Sequence, residues 1–314
     1  YFFYWQSIVA LITTIVLASY LWKALPKSNV GSKFDKNLFI KNWKFVSGVM
    51  GISLGTVLLS QIDKIILSKM LTLEVFSYYM LATTVATVIM SLVSPIHTAL
   101  FPRLSQLVVK KDETGISDLY HRGCQLASII ILPISITMIF FSKEILSAWI
   151  GDPTVVNNTH ILLSLLIVGT TIKAYMTLPY TLQLAHGWTK LAFYKNVIAV
   201  IIIIPSMLWA AQMYQGIGAA WVLIILYLGL LIFEIIIMHK RILKGNMRER
   251  YGYDVFIPIL IVSIIGLAAH EIHDIFPIDV SEAVTALAVL CTLLFSFMAS
   301  AWSTGNLNTR VMSL

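Results

Sequence analysis

Charge is scarce in this sequence. Lys, Arg, Asp and Glu make up 12% of its 314 residues, about half the ~25% usual in soluble domains. A soluble chain of this length needs a charged, water-facing surface, and this one has too few charges to cover it. Cysteine is nearly absent as well. Cys124 and Cys291 make no disulfide framework, and their spacing suits no zinc site. No low-complexity linker or soluble domain interrupts the chain. Neither an initiator Met nor a signal-peptide pattern stands at Tyr1, and the chain opens inside an apolar run.

Apolar residues are what the chain has in excess, 58% of it against a usual ~45–50%. Runs of near-membrane length recur at roughly 1–22, 43–64, 75–99, 124–142, 158–182, 194–213, 216–238, 255–273 and 281–301. The expected fold is all-α, a polytopic transmembrane helix bundle of about nine spans. Pro95, Pro133, Pro179 and Pro205 fall inside spans. They are tolerated in a bundle, where neighbouring helices satisfy the freed carbonyls.

Lys and Arg accumulate on the cytoplasmic side of membrane proteins. With alternate loops assigned to alternate faces, one face carries 18 of the 22 Lys and Arg, the other three, and Lys173 stays inside a span. This predicts an external N-terminus and a cytoplasmic C-terminus. The net charge of +7 then records orientation, and nucleic acid is not an expected partner. An external start on an uncleaved span leads to the expectation that further spans precede Tyr1.

Polar residues inside spans form stripes. At 100° per residue, Ser53, Thr56, Ser60, Asp63 and Lys64 share one arc of the second span, while Gly48, Gly51 and Gly55 share another. The Gly51/Gly55 pair is a small-xxx-small contact suited to close helix packing. In the third span Tyr79, Thr83, Thr87, Ser94 and His97 cluster; in the fifth, Thr170, Lys173, Thr177 and Tyr180 do. Each Thr or Ser could merely bond the carbonyl four residues back. Three coherent stripes point instead to a shared hydrated cavity.

Lys173 is the sharpest of these residues. A Lys in mid-span costs about 2.5–3.5 kcal/mol on insertion scales, so it is either one half of a structural ion pair or a contact for an anionic substrate. Glu234, about a turn from the cytoplasmic end, either snorkels to water or serves as a coupling site. Asp63 and Lys64 lie near the external boundary, solvated or facing the cavity.

Enzymatic motifs fail. His270-Glu271-Ile272-His273-Asp274 is not the H-E-x-x-H zinc arrangement, and a solvated external loop edge is expected there. Gly216-x-Gly218 lacks a third glycine and a β-α unit, and reads as a tight external turn leading into a helix. Asn157-Asn158-Thr159 fits a glycosylation sequon. No catalytic or metal-binding residue is assigned and no cofactor is expected.

Four stretches carry a resemblance. SQIDKIILSKMLTLEVFSYYMLA from Ser60 resembles the start of the second half of MOP-superfamily polysaccharide flippases, the Wzx-type O-antigen and polysaccharide export proteins. FPRLSQL at Phe101 is similar to the cytoplasmic end of that family's eighth helix. GWTKLAFYKN at Gly187 resembles its tenth-to-eleventh helix loop, and YQGIGAAWV at Tyr214 the beginning of its twelfth helix. The resemblance spans roughly residues 40–240.

It implies two six-helix lobes around a cavity, often followed by two more helices. Residues 1–42 would then be the last helix of the first lobe and a basic cytoplasmic linker. Residues 43–238 would be the second lobe, and 239–314 a cytoplasmic loop with two additional helices. In related transporters the first, second, fourth and fifth helices of that lobe line the cavity, and three of these carry the polar stripes.

The implied function is a flippase for polyprenyl-pyrophosphate-linked oligosaccharide in the bacterial cytoplasmic (inner) membrane. Its expected partners are the bilayer, the lipid-linked substrate and the polysaccharide polymerase and chain-length machinery. Cavity candidates are Lys173, Thr170, Thr177, Tyr180, Thr83, Thr87, His97, Ser60, Asp63 and Lys64, with Glu234 the coupling candidate. The alternatives are a MATE-type cation-coupled antiporter, a membrane glycosyltransferase or polymerase on the same carrier, and a non-transporting scaffold.

Overall fold

The computed structural model describes residues 2–24, 36–243 and 252–275, and every element in it is helical. The expected ninth span at 281–301, with Cys291, lies outside the described residues. In chain order the helices are α1 (Phe2–Ala24), α2 (Lys36–Met70), α3 (Leu73–Ala86), α4 (Val88–Lys110) and α5 (Glu113–Phe140). They continue with α6 (Ser142–Ile150), α7 (Pro153–Ala185), α8 (Thr189–Arg241), a π-helical turn (Gly252–Phe256) and α9 (Ile257–Ile275). Among the described residues six helical stretches are long and apolar enough to cross a bilayer.

The chain divides into two units, Tyr1–Val46 and Ser47–Leu314. In the first, α1 is apolar and exposed from Tyr4 to Ala24. The second holds the core, centred on Tyr79, Tyr120, Leu163 and Ile167. Its outer surface shows large apolar side chains such as Ile201 (65% exposed) and Ile225 (67%). Such a surface suits contact with lipid tails and would be an aggregation hazard in water.

A straight helix of α8's 53 residues would be about 80 Å long, more than twice the hydrocarbon thickness. It folds back at Gln215, whose φ of 50° and ψ of −135° are non-helical. Lys195 and Glu234, each about twenty residues from that point, meet at 2.7 Å, so the two limbs run antiparallel. The reversal depends on Gly218, because a Cβ there would sit 2.4 Å from the Ala210 carbonyl oxygen. The turn expected at Gly216-x-Gly218 is therefore made one residue earlier, and the glycines open the second limb.

The Gly51/Gly55 pair of α2 packs closely against a neighbouring helix, as expected. Added Cβ atoms at Gly51 and Gly55 would lie 3.0 Å from the Phe193 ring and 3.1 Å from the Asn196 Cβ on α8. Beside them Asn196 Nδ2 donates to Thr56 Oγ1 at 3.1 Å. Part of the expected α2 polar stripe therefore serves packing.

Local structure between and after the spans differs in places from what the sequence suggests. The stretch after Phe140 contains α6, a short helix with Leu146 buried and Trp149 exposed. The sequon lies within the first turns of α7, with Asn157 exposed and Thr159 fully buried. His270 sits in α9, its ring 6.0 Å from Phe140 and 5.9 Å from Phe141, packed where a solvated edge was expected. The side chains of His273 and Asp274 lie outside the described residues.

A polar network ties the π-helical turn to α5. Asp254 accepts from Gln125 Nε2 at 2.8 Å and contacts His121 Nδ1 at 2.5 Å. Its carbonyl takes the Ser128 hydroxyl at 2.7 Å, and Ser128 in turn accepts from Tyr175 of α7. Each of these groups is too polar to bury alone, and together they fix where α9 leaves the turn.

Candidate functional site

Helices α2, α3, α7 and the second limb of α8 enclose a cavity of about 170 Å³. Ser60, Asp63 and Lys64 reach it from α2, Thr83 and Thr87 from α3 and its junction with α4, and Thr170 and Lys173 from α7. Seven of the ten sequence candidates thus line one space. Its other walls include Tyr79, Met90, Gly169, Leu223 and Tyr227.

The threonines do two things at once. Thr83, Thr87 and Thr170 each donate to a carbonyl of their own helix, those of Tyr79, Thr84 and Leu166. The bland reading of these residues is therefore true, yet it leaves their oxygen lone pairs free to accept. A rim of acceptors fits a ligand rich in hydroxyl donors.

Three charged side chains line the cavity. Asp63 is 4% exposed, and one of its oxygens accepts from the Tyr79 hydroxyl at 2.6 Å. Its other oxygen has no hydrogen-bond partner, the Lys64 ammonium standing 3.8 Å away. Lys64 donates instead to the Ser60 carbonyl at 2.7 Å. Asp63 and Lys64 are thus cavity residues.

Lys173 follows Pro153 by twenty residues and precedes Ala185 by twelve, about 30 Å and 18 Å of helix. Its stem is too short to reach bulk water at either end of the helix from that depth. Its ammonium sits 5.5 Å from the centre of the Tyr227 ring and makes no hydrogen bond or ion pair among the described residues. The structural ion-pair reading of Lys173 is therefore not what the fold shows.

The remaining candidates lie elsewhere. Thr177 is one turn beyond Lys173, and Tyr180 stacks on His97 of α4 with ring centres 6.3 Å apart. His97 also stacks on Phe101 at 6.3 Å. These residues continue the α7 stripe away from the cavity. Glu234 is also outside it and does not snorkel. It is fully buried, bound by Lys195 Nζ at 2.7 Å and Gln183 Nε2 at 2.8 Å.

Tyr79 and Tyr227 are the cavity residues that sequence reasoning valued too little. Tyr79 was legible as a member of the α3 stripe. Tyr227 was not, since its span is otherwise apolar and shows no stripe. A phenol in such a span needs a polar neighbour, and that was its one available signal.

The described residues form an all-helical protein with several helices apolar enough to cross a membrane and a polar cavity inside one helix bundle. The profile of a family described as "Polysaccharide biosynthesis protein" matches residues 2–154. A protein of Shigella flexneri named "Putative O-antigen transporter" is 23% identical over 212 residues, covering 67% of this chain and 49% of the relative. The chain thus spans about half the length of that curated relative. Both matches are likenesses, the profile covering just under half of the chain.

Proposed function

We propose that the chain is the second lobe, with its flanking helices, of a flippase for polyprenyl-pyrophosphate-linked oligosaccharide in a bacterial inner membrane. The observation that carries this reading is an unpaired ammonium, Lys173, deep in a cavity whose other polar groups are hydroxyls, the Gln61 amide, the Asp63 carboxylate and the Lys64 ammonium. The hydroxyls would bond sugar. Lys173 and Lys64 would meet the pyrophosphate or an acidic sugar as compact point charges. The lipid would stay at the edge of the bundle while its head crosses, with one lobe rocking against another.

The finer architecture belongs to the same proposal. It comprises about nine spans, an external N-terminus, a second lobe over 43–238 and two additional helices after it. The polymerase and chain-length machinery would work beside it. The O-antigen transport relative suggests a non-enzymatic role. Of the rival readings, a cation antiporter fits the cavity less well, because two lysines outnumber its single carboxylate.

The test is complementation with the full-length gene in cells lacking their own flippase. Wild type is expected to restore surface polysaccharide. Lys173→Ala is expected to reduce it at least tenfold at equal protein level. Normal polysaccharide from the Ala variant would remove Lys173 as a substrate contact, and failure of the wild type would overturn the flippase reading.

A further inference from the structure

The two limbs of α8 meet in a fixed register. Lys195 pairs with Glu234, and seven residues further from the turn on each limb Trp188 meets Arg241, whose guanidinium carbon lies 4.3 Å from the centre of the indole ring. We propose that this end of the hairpin holds an anionic phospholipid. Its phosphate would sit among Lys190, Lys240 and Arg241, and its acyl chains would lie along the outer face of the two limbs.

Depth in the bilayer follows from length. Trp188 stands 27 residues before Gln215 and Arg241 stands 26 after it, about 40 Å of helix and about the thickness of a bilayer with both headgroup layers. With the turn at one surface, Trp188 and Arg241 fall in the headgroup layer of the other. Lys195 and Glu234 are the only Lys, Arg, Asp or Glu from 191 to 239, and they satisfy each other.

The outer face has the profile of a phospholipid. At 100° per residue, Lys190, Tyr194 and Ile201 share one stripe of the first limb, and Lys240, Phe233 and Ile225 one stripe of the second; all six are exposed. Because the limbs are antiparallel with Lys195 facing Glu234, both stripes emerge on the same side of the hairpin. Each begins with a cation in the headgroup layer and continues as hydrocarbon, with Tyr194 at the depth where amphipathic rings settle. Arg241 lies at the seam between them.

The three cations form no ion pair among the described residues. Glu234 is the single acid from 184 to 243, and Lys195 and Gln183 already hold it. The counter-charge of this cluster must therefore come from outside the hairpin. Trp188 covers one face of the Arg241 guanidinium and leaves its N–H edge for a phosphate, which Arg can grip with two parallel bonds. The hydrocarbon wall below the cations favours a lipid over free phosphate, which would have no use for it. None of these residues lines the cavity, so the inference stands apart from the flippase reading.

The experiment is native mass spectrometry of the full protein in detergent, titrated with phosphatidylglycerol, phosphatidylcholine or inorganic phosphate. A basic residue near a membrane surface is worth about fivefold in affinity for anionic lipid. Wild type is accordingly expected to hold phosphatidylglycerol at least about tenfold more tightly than phosphatidylcholine. Combining Lys190→Gln, Lys240→Gln and Arg241→Gln should bring the two within about twofold. All three side chains are exposed, so the thermal midpoint in lipid-free detergent should stay that of wild type.

A control combining Arg103→Gln, Lys110→Gln and Lys111→Gln, three exposed cations at the end of α4, should keep the full preference. Trp188→Leu should weaken phosphatidylglycerol binding by leaving Arg241 without its platform. A preference that survives the Lys190, Lys240 and Arg241 changes would overturn the inference. So would equal loss in the control, which would reveal diffuse surface charge. Inorganic phosphate binding as tightly as the lipid, or a polyprenyl phosphate displacing phosphatidylglycerol at lower concentration, would overturn the choice of ligand and with it the proposal.

Discussion

Lys195 and Glu234 are 39 residues apart in the chain and in contact at 2.7 Å, with Gln183 completing the carboxylate's shell. From the sequence alone Glu234 looked able to reach water by snorkelling from the end of its span. Their meeting inside the bundle follows only from the reversal at Gln215. Removing one member of a buried pair leaves a charge without a partner and costs about 3–5 kcal/mol, whereas replacing both by apolar groups is often neutral. Glu234→Gln is accordingly expected to lower the thermal midpoint of the detergent-purified protein well below wild type. Lys195→Met combined with Glu234→Leu should recover most of that loss. A double-variant loss equal to the sum of the losses of Lys195→Met and Glu234→Leu alone would show that the two charges are not energetically coupled. The same comparison bears on the coupling role expected of Glu234, since a purely structural pair would leave transport normal in a stable double variant.

Helix boundaries follow local chemistry that is legible one element at a time. Asp112 caps α5 by accepting from the Gly115 N–H at 2.9 Å, a backbone donor that a helix start would otherwise leave unmet, and it also accepts from the Thr114 hydroxyl at 2.9 Å. These bonds, the Gly115 amide first, hold the Asp112 carboxyl below its usual range. A depressed carboxyl contributes stability above its unfolded value and loses it as pH falls through the folded one. The destabilisation caused by Asp112→Ala should therefore be present at neutral pH and vanish in acid, below the ordinary Asp range. Thermal melts of both proteins across pH 3 to 7 would show this convergence; a constant difference would refute it. The polar stripes were equally legible, because a helix's angular period is fixed. Their outcome was not uniform: Ser60, Asp63 and Lys64 line the cavity while Thr56 of the same arc meets Asn196. Periodicity says which residues share a face. It does not say what that face meets.

At the scale of the molecule, the bias of Lys and Arg toward alternate loops orients the proposed bundle. Single cysteines placed at Lys143 or Trp149, in a background without Cys124 and Cys291, are expected to react with a membrane-impermeant maleimide from outside intact cells. A cysteine at Lys110 should react only after permeabilisation. The opposite pattern would invert the bundle and move the cavity to the other face.

The sequence alone determined that the chain is helical, apolar and multi-pass, because twenty-residue apolar runs with few charges admit no other stable form in lipid. It also placed seven polar candidates on the faces that later proved to share one space. Tertiary structure decided the rest: which polar residues meet a cavity and which meet each other. It joined Glu234 to Lys195, left Lys173 without a partner and set Tyr227 beside it. The physical reason is range. Hydropathy and helical period act within a helix, whereas pairing of buried charges depends on the fold-back of α8 and the packing of α2, α3 and α7 around it.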